Sequence, residues 1–251
     1  MLSYSAQQDK LRMKLPVLLS LVVVTSFVSM AFVRVINGDD KHSADEIIND
    51  YITAMGGSQK LASINNVYME GEINVNGSKR ITKRWVVNKN ATRTEYTFSG
   101  ITSFSIARKD SGWNYFPTRG RKSIEPMTAA SVASNLPNLD IEGPLVNYKT
   151  KGYKVTYKGT DEIEGTEAYK LEEQINDSLT KTFFVDPDSH YIMRVRTKSS
   201  MGGRVSISAT DYSDYTKTAD GYVFPMEIGN VKYTLVKVNT EINDNLFKPI
   251  K

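Results

Sequence analysis

Across residues 67–238 almost every segment alternates apolar and polar side chains with a period of two, and short turn sequences separate the runs. Strands that recur behind short turns predict an antiparallel meander, because parallel units would need a helix between successive strands. YMEGEINVNGSKRITKRWVVNKN reads as two strands joined at Asn76-Gly77, a dipeptide that favours tight hairpins. TRTEYTFSG and ITSFSIARKD continue the pattern, and Asp110-Ser111-Gly112 turns the chain into Trp113-Asn114-Tyr115-Phe116-Pro117. Further strands are predicted over 153–158, 168–174, 180–185, 192–198, 205–211, 222–227 and 232–238, with Asp186-Pro187-Asp188 and Met201-Gly202-Gly203 among the turns.

One stretch, residues 125–148, breaks this period. Ala129, Val132, Ala133 and Leu136 fall at i, i+3, i+4 and i+7, one face of a helix. Pro137 ends it, because an internal proline removes a backbone donor and clashes with the preceding turn. A second short turn can start at Pro144 and would present Leu145 and Tyr148 together. A helical pair inserted into a long sheet covers something: it is either a lid over the concave side of a curved sheet or an ordinary crossover packed on one sheet face.

Before the first strand, Ser43-Ala44-Asp45-Glu46 has the form of a capping box. Ile47, Ile48, Tyr51, Ile52 and Met55 then share one helical face, and Gly56-Gly57 supplies a left-handed stop. SQKLASI adds one or two further turns. Upstream, Lys10, Arg12 and Lys14 precede the uncharged run 15–33, with Ser29-Met30-Ala31 as a small-x-small triplet. This predicts a signal peptide over 1–31, or an uncleaved anchor reaching 34, followed by a linker at 32–42 and a single domain at 43–251. Both versions place the domain outside the cytoplasm.

Little in the chain points to catalysis. There is no cysteine, which excludes disulfides and thiolate metal sites. His42 and His190 are the only histidines, and neither has a second ligand at metal spacing. No G-x-S-x-G, G-x-x-x-x-G-K-[ST] or G-x-G-x-x-G sequence occurs. Asp161, Glu162, Glu164, Glu167, Asp186 and Asp188 lie in or beside turns, where solvated charges are ordinary; an all-β hydrolase using such carboxylates is the remote alternative. The formal net charge is +4, to which the leader contributes Lys10, Arg12 and Lys14 against Asp9 alone, so nothing calls for a nucleic-acid partner.

Aromatic residues are more informative. Trp85, Tyr96, Phe98, Phe104, Trp113, Tyr115 and Phe116 concentrate in the strands just before the helical stretch. They either pack an ordinary core or line a cavity roofed by that stretch. An apolar cavity with few polar groups suits an acyl chain, each buried methylene contributing about 0.8 kcal/mol. Strand parity and helical phase give Trp85, Val87, Tyr96, Phe98, Phe104, Ile106 and Trp113 as the expected wall, and Val132, Leu136, Leu145 and Tyr148 as the expected lid.

With these features in order, the chain resembles the LolA-type outer-membrane lipoprotein-sorting proteins, in a divergent Bacteroidetes-type form. The resemblance rests on ADEIINDYITAMGGSQKL, on Met69-Glu70-Gly71, on Trp85-Val86-Val87-Asn88-Lys89-Asn90, and on the shortened hairpin 110–117. Gly143-Pro144-Leu145-Val146-Asn147-Tyr148, KGYKVTYKGTDEIEGTEAYKLE and the Phe184-Val185-Asp186 turn complete it. It implies a mainly β fold: a strongly curved antiparallel sheet forming an unclosed half-barrel, with an N-terminal helix and a mid-chain helical lid. It also implies a non-enzymatic, cofactor-free, monomeric periplasmic protein that carries acyl chains of lipoproteins or lipids. An inner-membrane ABC-type complex would load the carrier and an outer-membrane receptor would unload it. A sensor or interaction module in envelope stress, using the same fold, is the alternative. The family's better-known carriers place a basic residue and a proline after the Trp-Val pair to hold the lid; Val87-Asn88-Lys89 stands here, so that latch is not carried over.

Overall fold

The computed structural model describes residues 42–75, 77–120, 122–201 and 203–249. The expected signal segment and nearly all of the linker lie outside these residues. Everything described falls in one compact unit, Asp40–Lys251.

The first helix, α1 (Ala44–Ala54), forms where the capping box predicts it: the Ser43 side chain accepts from the Glu46 amide at 3.1 Å and the Glu46 carboxylate accepts from the Ser43 amide. Ile47 and Ile48 are its buried residues. Gly56 and Gly57, both at positive φ, end it and lead into the short α2 (Ser58–Ala62).

Six strands follow: β1 (Asn66–Val75), β2 (Ser78–Val87), β3 (Ala91–Phe98), β4 (Ile101–Arg108), β5 (Gly112–Tyr115) and the two-residue β6 (Glu125–Pro126). Seven more come after the helical stretch: β7 (Lys154–Ile163), β8 (Thr166–Asn176), β9 (Leu179–Val185), β10 (Ile192–Met201), β11 (Arg204–Lys217), β12 (Val223–Ile228) and β13 (Val231–Val238). The β1–β2 register pairs Val75 with Ser78, leaving the two-residue loop that Asn-Gly predicts. All thirteen form one antiparallel sheet in the order β6-β5-β4-β3-β2-β1-β13-β12-β11-β10-β9-β8-β7. The sheet is two meanders joined where β1 pairs with β13, and β6 and β7 stand at its two edges without pairing to each other. It is an unclosed, mainly β architecture, as expected.

At the join, Gly71 sits at a bulge in the β1–β13 register, where a Cβ would lie against the Lys232 carbonyl oxygen and 2.7 Å from the Tyr233 Cα. The Asn239 carboxamide reinforces this seam by accepting from the Asn65 amide at 2.7 Å and donating to the Ser63 carbonyl at 2.9 Å.

The chain that connects the two sheet edges carries α3 (Ala129–Asn135), capped by Thr128, and a 3-10 turn at Leu136–Leu139. Residues 141–150 then run as turns, not as a second helix. A seven-residue helix is about 10 Å long. Yet α3 lies against β4 and also shares a cavity with β10, which is seven strands away and would be roughly 34 Å distant in a flat sheet. The sheet therefore curls, and α3 spans its inner side.

Parity settles which residues face inward. Val67 and Met69 of β1, Tyr233 of β13, Val195 of β10, Phe183 of β9 and Leu171 of β8 pack with α1 and α2 or with each other on this inner face. The opposite, outer face of β2–β5 is covered by the C-terminal 3-10 turn Asp244–Phe247.

Candidate functional site

Among the described residues, a cavity of about 720 Å³ lies between the connecting segment and the inner face of β8–β10. Ala130, Ala133 and Leu136 form its roof and Ile175, Leu179 and Thr197 its floor, with Asp140 and Tyr153 at one side. The size falls within the roughly 300–1,000 Å³ typical of small-molecule sites. The roof residues that α3 itself supplies are small, because the helix is built from Ala, Ser, Val and Asn.

Behind one wall lies a group of buried charges. Glu173, Lys181 and Thr197 stand in register across β8, β9 and β10 on the inner face. Glu173 is fully buried (0% exposed), and neither carboxylate oxygen has a hydrogen-bond partner among the described residues. Burial lifts its pKa to about 7, against the opposing pull of Lys181 and Lys151 and with a further lift from Asp140. Burial also lowers the pKa of Lys181. Asp140 pairs with Lys151 at 2.5 Å through one oxygen, while its other oxygen is buried without a partner. Lys151 also donates to the Gly143 carbonyl at 2.8 Å, tying the connecting segment to the start of β7. The Tyr153 hydroxyl is pushed up by burial and by the nearby Glu173 and Asp140 carboxylates.

The expected wall residues are not gathered around this cavity. Trp85, Val87, Phe104, Ile106 and Trp113 share the outer face: β2–β3 pairs Trp85 with Arg93, β3–β4 pairs Arg93 with Ile106, and β4–β5 pairs Ile106 with Trp113. There they pack with Ala91 and Phe247 under the C-terminal segment. Arg93 sits among them, its guanidinium 4.2 Å from the Phe104 ring centroid and donating to Glu95 and to the Leu246 carbonyl. Tyr96 and Phe98 point to the inner face, where each is 38% exposed near the open end of β3. Consecutive aromatic strands need not share a face, because one residue of slip reverses every side chain.

The lid set also divides. Leu136 roofs the cavity and is 42% exposed; Val132 is buried on α3. Leu145 instead packs with Ile47, Ile48, Leu171 and Phe183 in the core. The Tyr148 hydroxyl donates to Asp45 at 2.7 Å, so these two residues fasten the connecting segment to α1. Sequence reasoning missed the floor residues Ile175, Leu179 and Thr197 and the buried Glu173. Leu171, Glu173 and Ile175 alternate on one face of β8, and an acidic residue between two apolar ones on such a face was the available signal.

No family model and no curated protein matches the sequence. Solved structures do. A DUF1329 family protein from Desulfovibrio piger superposes with a TM-score of 0.54 at 11% identity, covering 81% of this chain and 96% of that one. A candidate outer membrane lipoprotein-sorting protein domain from Vibrio parahaemolyticus gives 0.50 at 12% identity, covering 80% and 94%. The fold is LolA-like. At these identities the likeness is one of fold. No helix among the described residues is long and apolar enough to cross a membrane.

Proposed function

We propose that this protein is a non-enzymatic periplasmic carrier or binder of acylated ligands, lipoproteins in transit to the outer membrane above all, with acyl chains held beneath α3. The observation that carries this reading is the cavity itself, a largely apolar space, with polar Ser134, Asn176, Ser178 and Ser199 also in its lining, between a helix of small residues and the inner face of a curved sheet. The Vibrio structure of the same fold, described as a lipoprotein-sorting domain, supports it. The site is therefore assigned to Leu136, Ile175 and Leu179 with Ala130 and Ala133. Trp85, Val87, Phe104, Ile106 and Trp113 are left to the outer core.

Tyr96, Phe98 and Ile101, exposed on the inner face at the open end, extend the apolar surface that a second chain would touch. Because each buried methylene is worth about 0.8 kcal/mol, a ten- to twelve-carbon chain would bind usefully without any enzyme-like chemistry. An ATP-driven complex and a receptor at the two membranes are the partners such a carrier requires, since no nucleotide-binding loop occurs in the sequence.

Native mass spectrometry of the purified domain tests the reading: co-purifying acylated species that disappear in Leu136→Glu support it. A protein that carries no lipid, and whose titration with decanol shows no binding, overturns it.

A further inference from the structure

The first half of β11 is paired on one side only: residues 204–211 meet β10, while pairing with β12 begins at Tyr212. Residues 203–209 are exposed throughout, Val205 at 59% and Ile207 at 64%. Arg204 closes the hairpin opposite Met201, and the Ser200 amide donates to the Ser178 carbonyl, away from β11. Residues 204, 206, 208 and 210 therefore bond to β10, and Val205, Ile207 and Ala209 turn their N–H and C=O groups outward. Exposed sheet edges are ordinarily blunted by charge, proline or a bulge. The two outermost strands of this sheet follow that rule: β6 is two residues long and contains Pro126, and β7 carries Lys154, Lys158, Asp161, Glu162 and a bulge. Residues 205–210 carry none of these.

The free edge also borders the cavity. Thr197 and Ser199, which line it, pair with Ser208 and Ser206 on the inner face, and both serines are exposed. A strand added to β11 would lie two strand spacings, roughly 10 Å, from those lining residues. Between 189 and 210 the sequence has Arg194, Arg196, Lys198 and Arg204 and no acid. Arg194 is engaged by Glu164 and Asp211; among the described residues the other three meet no carboxylate. A second copy paired here would bring two such cationic ends together, which disfavours it. We infer that the free edge of β11 receives an extended acidic peptide by strand addition, the peptide being the one joined to the acyl chain beneath α3. This rests on the proposed binding role and adds how the polypeptide part of the cargo is held. Val205, Ile207 and Ala209 take its main chain, and Arg196, Lys198 and Arg204 face its charge.

The test is calorimetric titration of the full domain with decanol and with an N-decanoyl hexapeptide amide of alternating valine and aspartate. The peptide is expected to bind at least about tenfold more tightly than decanol, as a few additional hydrogen bonds imply. The same peptide with every amide N-methylated should lose that gain, and a lysine-for-aspartate peptide most of it. Ile207→Pro removes one outward donor without touching the β10 ladder and should abolish the gain, whereas Ile207→Ala keeps the donor and should retain part of it. The N-methylated peptide is tested on the unaltered protein, so the result stands even if the proline variant misfolds. No gain over decanol, a gain that survives N-methylation or lysine, or a dimer in sedimentation that Ile207→Pro dissociates overturns the inference and leaves the carrier reading standing. If neither decanol nor any peptide binds, the carrier reading falls, and this inference with it.

Discussion

Replacing Glu173 by Gln should stabilise the protein, and by an amount that depends on pH. The carboxyl is fully buried and unpartnered, and burial raises its pKa from 4.5 to about 7. Between those two values the folded chain keeps a proton that the unfolded chain has released. Stability due to this group is therefore complete below about pH 4.5 and is lost as pH rises towards 7, after which the loss is constant. At 1.36 kcal/mol per pKa unit the loss amounts to about 3 kcal/mol. Glutamine keeps the shape without the charge, so the two proteins should be nearly equal at pH 4.5 and differ by about 3 kcal/mol at pH 8. In a domain of this size that is roughly 6–12 °C in melting temperature. Lys181, whose pKa burial lowers against the upward pull of Glu173, contributes a dependence of the opposite slope on the alkaline side; the variant loses that pull, which lowers the Lys181 pKa further and offsets part of the gain. Urea denaturation of each at pH 4.5, 6, 7 and 8 measures the difference. Parallel stability curves, or a variant less stable at pH 8, would show that the carboxyl is solvated or paired and would refute the reasoning.

Leu136→Glu places a charge on the cavity roof at a half-exposed position, so decanol affinity should fall at least about tenfold while the melting temperature changes little; calorimetry and a thermal melt read both. Phe247→Ala empties the cap on the outer aromatic cluster and should cost about 3–5 kcal/mol in urea denaturation, without altering decanol affinity. Gly71→Ala forces a methyl group into the β13 backbone and should cost about 1–3 kcal/mol, with amide exchange accelerating first along the β1–β13 seam. Tyr148→Phe removes one exposed hydrogen bond to Asp45 and should lower stability by no more than about 1 kcal/mol.

Local features of the fold were legible because their causes are local. Ser43 and Glu46 fix the start of α1 by short-range hydrogen bonds, and the pairing of Val75 with Ser78 follows from an Asn-Gly sequence suited to tight hairpins. The strands after residue 153 lie where period-two alternation puts them, although β7 runs to Ile163, beyond the predicted 158, because its end pairs with the start of β8, and β11 runs to Lys217, beyond the predicted 211, because its second half pairs with β12. The site was less legible because it depends on which face of each strand gains a cover. Trp85, Phe104 and Trp113 have the chemistry of a cavity wall, but Ile242, Leu246 and Phe247, from the far end of the chain, cover their face. The β1–β13 join and the crossing from β6 to β7 are equally non-local. Glu173 escaped notice because one acidic residue in a strand looks like any solvent-facing position until its neighbours are known.

The order of the strands also has a consequence for assembly. Each meander can zip up from adjacent hairpins, but β1 receives its second neighbour only from β13, about 165 positions later in the chain. Contacts of such long span slow folding, because loop closure must precede any reward from pairing. A chain crossing a membrane in an extended form would hold its first half as an unfinished ribbon, with the free edge of β1 and the aromatic outer face of β2–β5 bare, until the end of the chain came through. Protection of that ribbon during passage, by a chaperone or by the speed of delivery, then becomes a requirement of the topology itself.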